Sequence, residues 1–435
     1  MRDVRRTPRG TARGDVDVVI VGAGAAGLSL AHHLAAPPPG LPRPTVALLD
    51  APPGPLRPPE RTWCYWEAPG GPWDTVLAAS WERLRLRRPD GRAVEGRPSG
   101  LRYKMLRSTD FAAQVSARIE GTPGFRRTTA TVETVLGHRE HAEVHGTDAG
   151  GRPVTLRARW VFDSRPPPTL PPARTTLLQH FRGWFVRTRH PAFDPGTADL
   201  MDFRTPQPAH GLSFAYVLPL NTREALVEYT EFGPTTLTGA GYDAALRHHL
   251  HRVLGLGGYE VRHVEGGVIP MTDARFPRNP APRVFRIGTA GGATRPATGY
   301  TFAAVQRQSR AVAALLHHGR TPHPPPPHRA RSRAMDAVLL RALDRGRVDG
   351  AAFFCDLFDR VPTEQVLRFL DGESRPVEDL RIGLRTPVAP MLRTTLELPW
   401  LRRRTPPPPP PHPAPAPPPP AHRPPAALTP PGSDR

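Results

Sequence analysis

Lysine is all but missing from this chain. Lys104 is the only one in 435 residues, so arginine supplies nearly all of the 59 basic side chains. Cysteine is almost as scarce: Cys64 and Cys355 define no disulfide framework and no thiolate metal site, and such usage fits a reducing cytoplasm. No apolar run reaches the ~18–20 residues of a membrane span. The best stretch, residues 18–31, is broken by glycines. Acidic groups are outnumbered 39 to 59, giving a formal net charge of +20, yet no basic run is interleaved with stacking aromatics, so the charge does not read as a nucleic-acid footprint. Attraction to an anionic membrane surface is the better use for it. The histidine pairs His32-His33 and His248-His249 are adjacent on expected helices, their side chains diverge, and no metal site is expected. Repeats are absent too.

What is abundant is proline, 59 residues, much of it in two tracts. Residues 1–15 read as a flexible leader. Arg5-Arg6 could open a twin-arginine signal, but Asp15 and Asp17 interrupt the passage into the apolar stretch, so neither a signal peptide nor a membrane helix is expected. Residues 16–165 read as the first part of a dinucleotide-binding region, with a strand at 17–21, a helix over 25–36 ended by Pro37-Pro38-Pro39-Gly40, and a strand at 45–49. Residues 55–110 form a connection around the cofactor, with a helix starting near Ser108. Residues 166–280, rich in Phe, Tyr and Val between turn residues, predict an antiparallel substrate domain. Residues 281–325 return to the nucleotide region, 326–404 are helical, and 405–435 form a proline-rich disordered tail. The fold class is α/β: a Rossmann-type region, an inserted antiparallel β domain and a C-terminal helical region.

Gly22-Ala23-Gly24-Ala25-Ala26-Gly27 fits G-x-G-x-x-G between a strand and a helix, the context that gives the motif meaning. Gly22 permits the turn, Gly24 lets the backbone approach a pyrophosphate, and Gly27 lets helix and sheet pack closely. The helix start, at Ala25 and Ala26, then faces the phosphate charge. Asp50, ending the second strand, is the candidate ribose ligand. A second glycine segment, Gly288-Thr289-Ala290-Gly291-Gly292, runs on to Gly299 and Tyr300; its backbone N–H groups can bind phosphate or ring oxygens. A fingerprint near the N-terminus joined to this second segment favours FAD. Asp163 and Arg107 follow strands that can approach the flavin.

Several strings, in order, resemble the lycopene cyclase family of FAD-dependent flavoproteins, the bacterial lycopene β-cyclases most of all. They are Arg61-Thr62-Trp63-Cys64-Tyr65-Trp66, Tyr103-Lys104-Met105-Leu106-Arg107-Ser108, Met201-Asp202-Phe203-Arg204, Phe214-Ala215-Tyr216-Val217-Leu218-Pro219, Ala225-Leu226-Val227-Glu228-Tyr229-Thr230, Gly267-Val268-Ile269-Pro270-Met271, residues 288–300, and Phe369-Leu370-Asp371-Gly372. The resemblance spans about 16–395. It implies a flavoenzyme that turns an acyclic carotene end into a β-ionone ring without net redox change, using reduced FAD with NAD(P)H as the reductant, and it carries the acid role to Glu228. The carotene, lycopene in this reading, lies in a bilayer, so the protein is expected to be cytoplasmic and peripheral on the inner face of the cell membrane.

Ring closure of a polyene end needs an acid, a way to stabilise a cation, and dryness. Glu228 sits in an apolar strand where lost hydration raises a carboxyl pKa; half protonation near pH 7 asks for about 3.7 kcal/mol of such desolvation. Trp63, Tyr65, Trp66, Trp184 and Tyr216 are candidates to line the polyene and stabilise a passing cation. Glu265 is a candidate second carboxyl. Phe353, Phe354, Leu357, Phe358, Leu392, Leu396, Leu398 and Trp400, with Arg402 to Arg404, are candidates for membrane contact. Read from the fingerprint alone, a flavin monooxygenase or prenyl-chain reductase remains an alternative.

Overall fold

The computed structural model describes residues 15–408. The expected leader through residue 14 and the expected tail beyond residue 408 lie outside the described residues; Asp15 already belongs to the first strand.

Two sheets organise the chain. In the first, Asp15–Val21 lies between two parallel neighbours, Val46–Asp50 and Pro153–Asp163. Val284–Arg286 extends it beyond Pro153–Asp163, and Phe125–Gly137 extends it beyond Val46–Asp50. The parallel strands are short apolar runs because helices and neighbouring strands cover both faces; Val18, Val19 and Ile20 are fully buried. The antiparallel strand Ala142–Asp148 joins the far halves of Phe125–Gly137 and Pro153–Asp163. Helices Ala25–Leu34 and Phe302–His317 pack together beside this sheet.

The second sheet has seven strands in the order Tyr259–Thr272, Thr176–Thr188, Glu224–Gly233, Leu212–Pro219, Thr197–Asp202, Arg83–Arg87, Ala93–Gly96. Its last two strands come from the stretch expected only to wrap the cofactor. Side chains alternate between its faces. One face, with Leu177, Phe185, Leu218, Leu226 and Met271, packs against the C-terminal helices. The other, with Trp184, Val186, Val227 and Tyr229, is closed by the helix Gly239–His248.

A three-stranded sheet, Thr62–Glu67, Arg102–Arg107 and Ala79–Trp81, supplies the Trp- and Tyr-rich strand beside the second sheet. Lys104, wholly buried, is neutralised there by Asp74 and Glu67 and donates to the Ala68 carbonyl at 2.8 Å. The helix Ser108–Glu120 starts where expected, but Ser108 does not cap it; its hydroxyl accepts the Arg61 N–H at 3.0 Å and so fixes the entry to Thr62–Glu67.

The C-terminal helices hold the second glycine segment. Arg295 is fully buried, pairs with buried Asp336 at 2.8 Å, and donates to the Phe369 carbonyl at 3.1 Å. Thr298 donates to the Leu370 carbonyl at 3.1 Å, and Arg307 pairs with Asp371 at 2.5 Å. Burial raises the Asp336 carboxyl to about 6 despite Arg295. Removing one member of such a pair leaves a buried charge at a cost of about 3–5 kcal/mol. Asp336→Ala is therefore expected to lower the melting temperature strongly and to weaken flavin retention; calorimetry and flavin absorbance check this, and an unchanged melting temperature would show that Arg295 does not depend on its partner.

Candidate active site

The phosphate cradle is built from backbone. Gly22 has φ +95°, a conformation that favours glycine, and its N–H donates to the Leu49 carbonyl at 2.8 Å. A Cβ on Gly27 would run into the Gly22 carbonyl. Gly24, by contrast, has nothing within 4 Å of where a Cβ would sit. It is the N-cap of Ala25–Leu34, which has no side-chain cap and no acid in its first turn. Free N–H groups at Ala25 and Ala26, beside an open space, fit a pyrophosphate. Gly288, at φ +62°, approaches so closely that its Cβ would lie 2.7 Å from the Ala26 Cβ, so the two glycine segments form one cradle. Gly291 packs on the Arg286 carbonyl, Gly292 takes a left-handed φ of +81° beside Phe276, and Gly299 takes φ +72° against the Gln179 amide. These residues fit a dinucleotide such as FAD.

The charged residues expected at the cofactor are already engaged. Asp50 pairs through Oδ2 with Arg57 at 2.7 Å and Arg127 at 2.6 Å. Asp163 holds Arg165 at 3.0 and 2.8 Å, and its carbonyl accepts the Ile287 N–H, tying the strand end to the second glycine segment. Arg107 lies over the Phe185 ring at 4.9 Å.

The candidate acid stands in a row running across four strands. Glu265 lies opposite Gly183, Gly183 opposite Glu228, and Glu228 opposite Tyr216. Directly opposed residues of antiparallel strands share a face, so both carboxyls and the phenol project the same way, toward Thr62–Glu67. Gly183 is what lets the carboxyls approach: a Cβ there would lie 2.8 Å from Leu226 Cδ1, 3.4 Å from Glu228 Cβ and 3.4 Å from Glu265 Cγ. Thr230 donates to Glu228 Oε1 at 2.7 Å, and Thr62 donates to Glu265 Oε2 at 2.8 Å. Glu228 is half-buried. Burial first, and Glu265 second, raise its pKa to about 8, against the pull of Thr230. Glu265 is raised by burial to about 7, less far because Thr62, Arg107 and Arg61 favour its anion.

Beside this row lies a narrow cleft lined by Cys64, Tyr65, Trp66, Tyr300, Phe302, Ala303 and Asp371. Burial pushes the Cys64 thiol and the Tyr103, Tyr216 and Tyr300 phenols upward, so all stay neutral. The Tyr300 hydroxyl makes no well-aligned hydrogen bond, and Trp66 meets the Tyr300 ring edge-on at 4.5 Å.

The aromatics divide. Trp66, Tyr216 and Tyr300 gather at the carboxyl row, and Tyr65 lines the cleft. Trp63 stacks on Phe302 at 5.3 Å, within the core beneath the cofactor region. Trp184 must be corrected: as the neighbour of Gly183 it points to the opposite face, fully buried with Val186 and Val227, and cannot touch a substrate at Glu228. Sequence reasoning passed over Gly183, although a glycine inside an apolar strand signals close approach. A group of histidines not singled out from the sequence also comes together. His138, His141 and Glu143 bring ligand-type atoms within 4.8 Å of one another on the outer hairpin of the first sheet, and His145 lies 3.2 Å from the same carboxylate. This cluster is remote in the fold from the carboxyl row.

Comparison with known proteins agrees with this layout. The family model described as lycopene cyclase protein matches residues 17–396. No curated protein matches the sequence. Among solved structures, a geranylgeranyl bacteriochlorophyll reductase-like protein from Thermoplasma acidophilum is similar with a TM-score of 0.57 at 12% identity, covering 89% of this chain and 100% of that one. A flavoprotein/dehydrogenase from Cytophaga hutchinsonii gives 0.59 at 12% identity, covering 88% and 98%. The p-nitrophenol 4-monooxygenase PnpA from Pseudomonas putida gives 0.54 at 18%, covering 90% and 100%. The shared fold is that of flavoproteins.

A raised carboxyl pKa means that the folded state holds the proton more tightly than the unfolded chain. The stability this adds is present below the ordinary value near 4.5 and is lost as pH rises through about 8. Glu228→Gln should thus melt higher than the parent at pH 9 and close to it at pH 5; an equal shift at both values would place the ionised group in water.

Proposed function

Since the chain belongs to the lycopene cyclase family, we propose that it closes an acyclic carotene end, lycopene in the simplest case, into a β-ionone ring, with Glu228 as the acid and reduced FAD bound in the glycine cradle. The observation that carries this reading is Glu228 itself: a carboxyl with a pKa raised to about 8, in an apolar row beside an aromatic-lined cleft. At neutral pH such a group keeps its proton and can give it up to an alkene carbon. Protonation of the terminal double bond leaves a tertiary cation, the neighbouring double bond attacks it to close the ring, and loss of a ring proton restores an alkene. When bound in its reduced form, with NAD(P)H as the source of electrons, FAD supplies an electron-rich ring whose field favours the cation. The faces of Trp66, Tyr216 and Tyr300 add to that field, and the apolar lining disfavours the water that would trap the cation.

An oily substrate also calls for a bilayer edge, and the C-terminal helices carry one. Val377, Leu380 and Leu384 on Pro376–Arg385 recur at helical spacing, as do Val388, Leu392 and Leu396 on Val388–Glu397, and Trp400 follows. All seven are exposed, from 54% for Val388 to 87% for Trp400. Exposed Arg375, Arg381, Arg385, Arg393 and Arg402 flank them. This ridge suits an anionic membrane surface on the inner face of the cell membrane, entered by the apolar side chains and held by the arginines. It keeps Leu392, Leu396, Trp400 and Arg402 of the expected contact and loses the rest: Phe353, Phe354, Leu357, Phe358 and Leu398 are buried in the core, Arg403 pairs with Asp273 at 3.3 Å, and Arg404 bridges to Ala173. Among the described residues no helix is long and apolar enough to cross a membrane.

In cells that accumulate lycopene, the parent chain is expected to yield a β-ring isomer of unchanged mass, and Glu228→Gln to bind FAD and yield none. An oxygenated or hydrogenated product would favour a monooxygenase or a prenyl-chain reductase instead. Changing Leu392 and Leu396 together to Glu should cut co-sedimentation with anionic vesicles at least several-fold without lowering the melting temperature; undiminished binding would move the membrane contact elsewhere.

A further inference from the structure

Ring closure takes up one proton and gives up another, at different carbons of the same chain end. Glu228 accounts only for the first transfer. The second carboxyl of the row, Glu265, is buried at 7% exposure and comes from another strand. The two side chains approach each other across Gly183, with the Leu226 side chain reaching into the same gap: a Cβ there would lie 2.8 Å from Leu226 Cδ1 and 3.4 Å from both Glu228 Cβ and Glu265 Cγ.

The surroundings of the two groups differ in kind. Facing Glu265 are the Thr62 hydroxyl and the guanidiniums of Arg61 and Arg107, all of which favour a negative charge. Facing Glu228 are its own Thr230, the Tyr216 phenol from the adjacent strand, Cys64 from Thr62–Glu67 and Tyr300 from the glycine segment, with Tyr103 behind them. None of these carries positive charge. Two carboxyls this close do not both ionise readily, and when their surroundings differ the proton settles on the one with fewer donors.

Building on the cyclase reading, we propose that Glu228 and Glu265 form one proton-sharing pair across Gly183, in which Glu228 is the acid that opens the reaction and Glu265 the base that ends it. The balance is complete. The Glu228 O–H bond breaks and its proton forms a C–H bond at the inner carbon of the terminal double bond, leaving the tertiary cation at the outer one. The next double bond supplies the pair that closes the ring. Glu265 then takes a proton from the ring carbon beside the cation, and the electrons of that C–H bond become the ring double bond. The pair still holds one proton, now on Glu265, and its return to Glu228 resets the site without oxidant or reductant consumed. Burial raises both carboxyls, and only Glu265 has cationic neighbours to favour its anion, which is the order of occupancy this sequence of steps requires.

The test uses flavin-loaded protein with carbon-13 at the glutamate carboxyls, followed by NMR from pH 5 to 10, with the Glu228 signal assigned by its loss in Glu228→Gln. In Glu265→Gln the Glu228 midpoint should fall by at least one pH unit, because the neighbouring negative charge is gone. Cyclisation turnover should drop ten-fold or more while KM stays within two-fold. Glu265→Asp, which keeps the charge, should hold the Glu228 midpoint near that of the parent and recover part of the turnover. An unmoved Glu228 midpoint in Glu265→Gln, or full turnover in that variant, would overturn the pair. A moved midpoint in a protein whose parent form makes no cyclic product would uphold the pair and overturn the cyclase reading, so the two failures are distinct.

Discussion

A carboxyl that must lose its water of hydration to reach its place in the sheet governs the chemistry available here. Glu228 projects from an apolar strand onto a face where its neighbours are Leu226, Tyr216, Cys64 and the glycine of the adjoining strand, and the penalty of ionising there keeps the proton on. The penalty is tuned rather than absolute. One hydroxyl, Thr230, opposes it, and one like-charged neighbour, Glu265, reinforces it. A site drier still would hold the proton too tightly to donate it, and a wetter one would release it to solvent.

The rest of the fold serves that placement. The parallel sheet and its two glycine segments set a cofactor cradle beside Thr62–Glu67, and that strand reaches the carboxyl row through Thr62 and Cys64. The second glycine segment has little side chain of its own to fix it. Its position comes from Arg295, buried against Asp336 and the Phe369 carbonyl, and from Thr298 on the Leu370 carbonyl. The two helices that follow, Pro376–Arg385 and Val388–Glu397, carry the exposed apolar ridge, so the C-terminal layer serves both cradle and surface.

How far the residues revealed this in advance depended on the range of the interaction. Gly22, Gly24 and Gly27 were legible because their roles are backbone geometry within one turn. Glu228 stood out by its apolar flanks and by the family resemblance around it. Trp184 misled because an aromatic in a strand shows its face only once the pairing partners are known; its parity with Gly183 sets it against the opposite core. Phe353 and Leu357 misled for a similar reason, since an amphipathic helix does not say whether core or lipid covers its apolar side. The string Met201-Asp202-Phe203-Arg204 turned out to contain a buried pair, Asp202 with Arg204 at 2.6 Å and His249 at 3.5 Å, a structural role that the pattern alone left open. The row that sets Glu265 and Gly183 beside Glu228 joins strands that meet only through tertiary folding.

Neutron diffraction from deuterium-exchanged crystals of the flavin-loaded protein at pH 7 would locate the proton directly. Deuteron density on a Glu228 carboxyl oxygen, beside the Thr230 hydroxyl, is the expected result. A bare, symmetric Glu228 carboxylate with ordered water around it would contradict the acid role and the chemistry built on it.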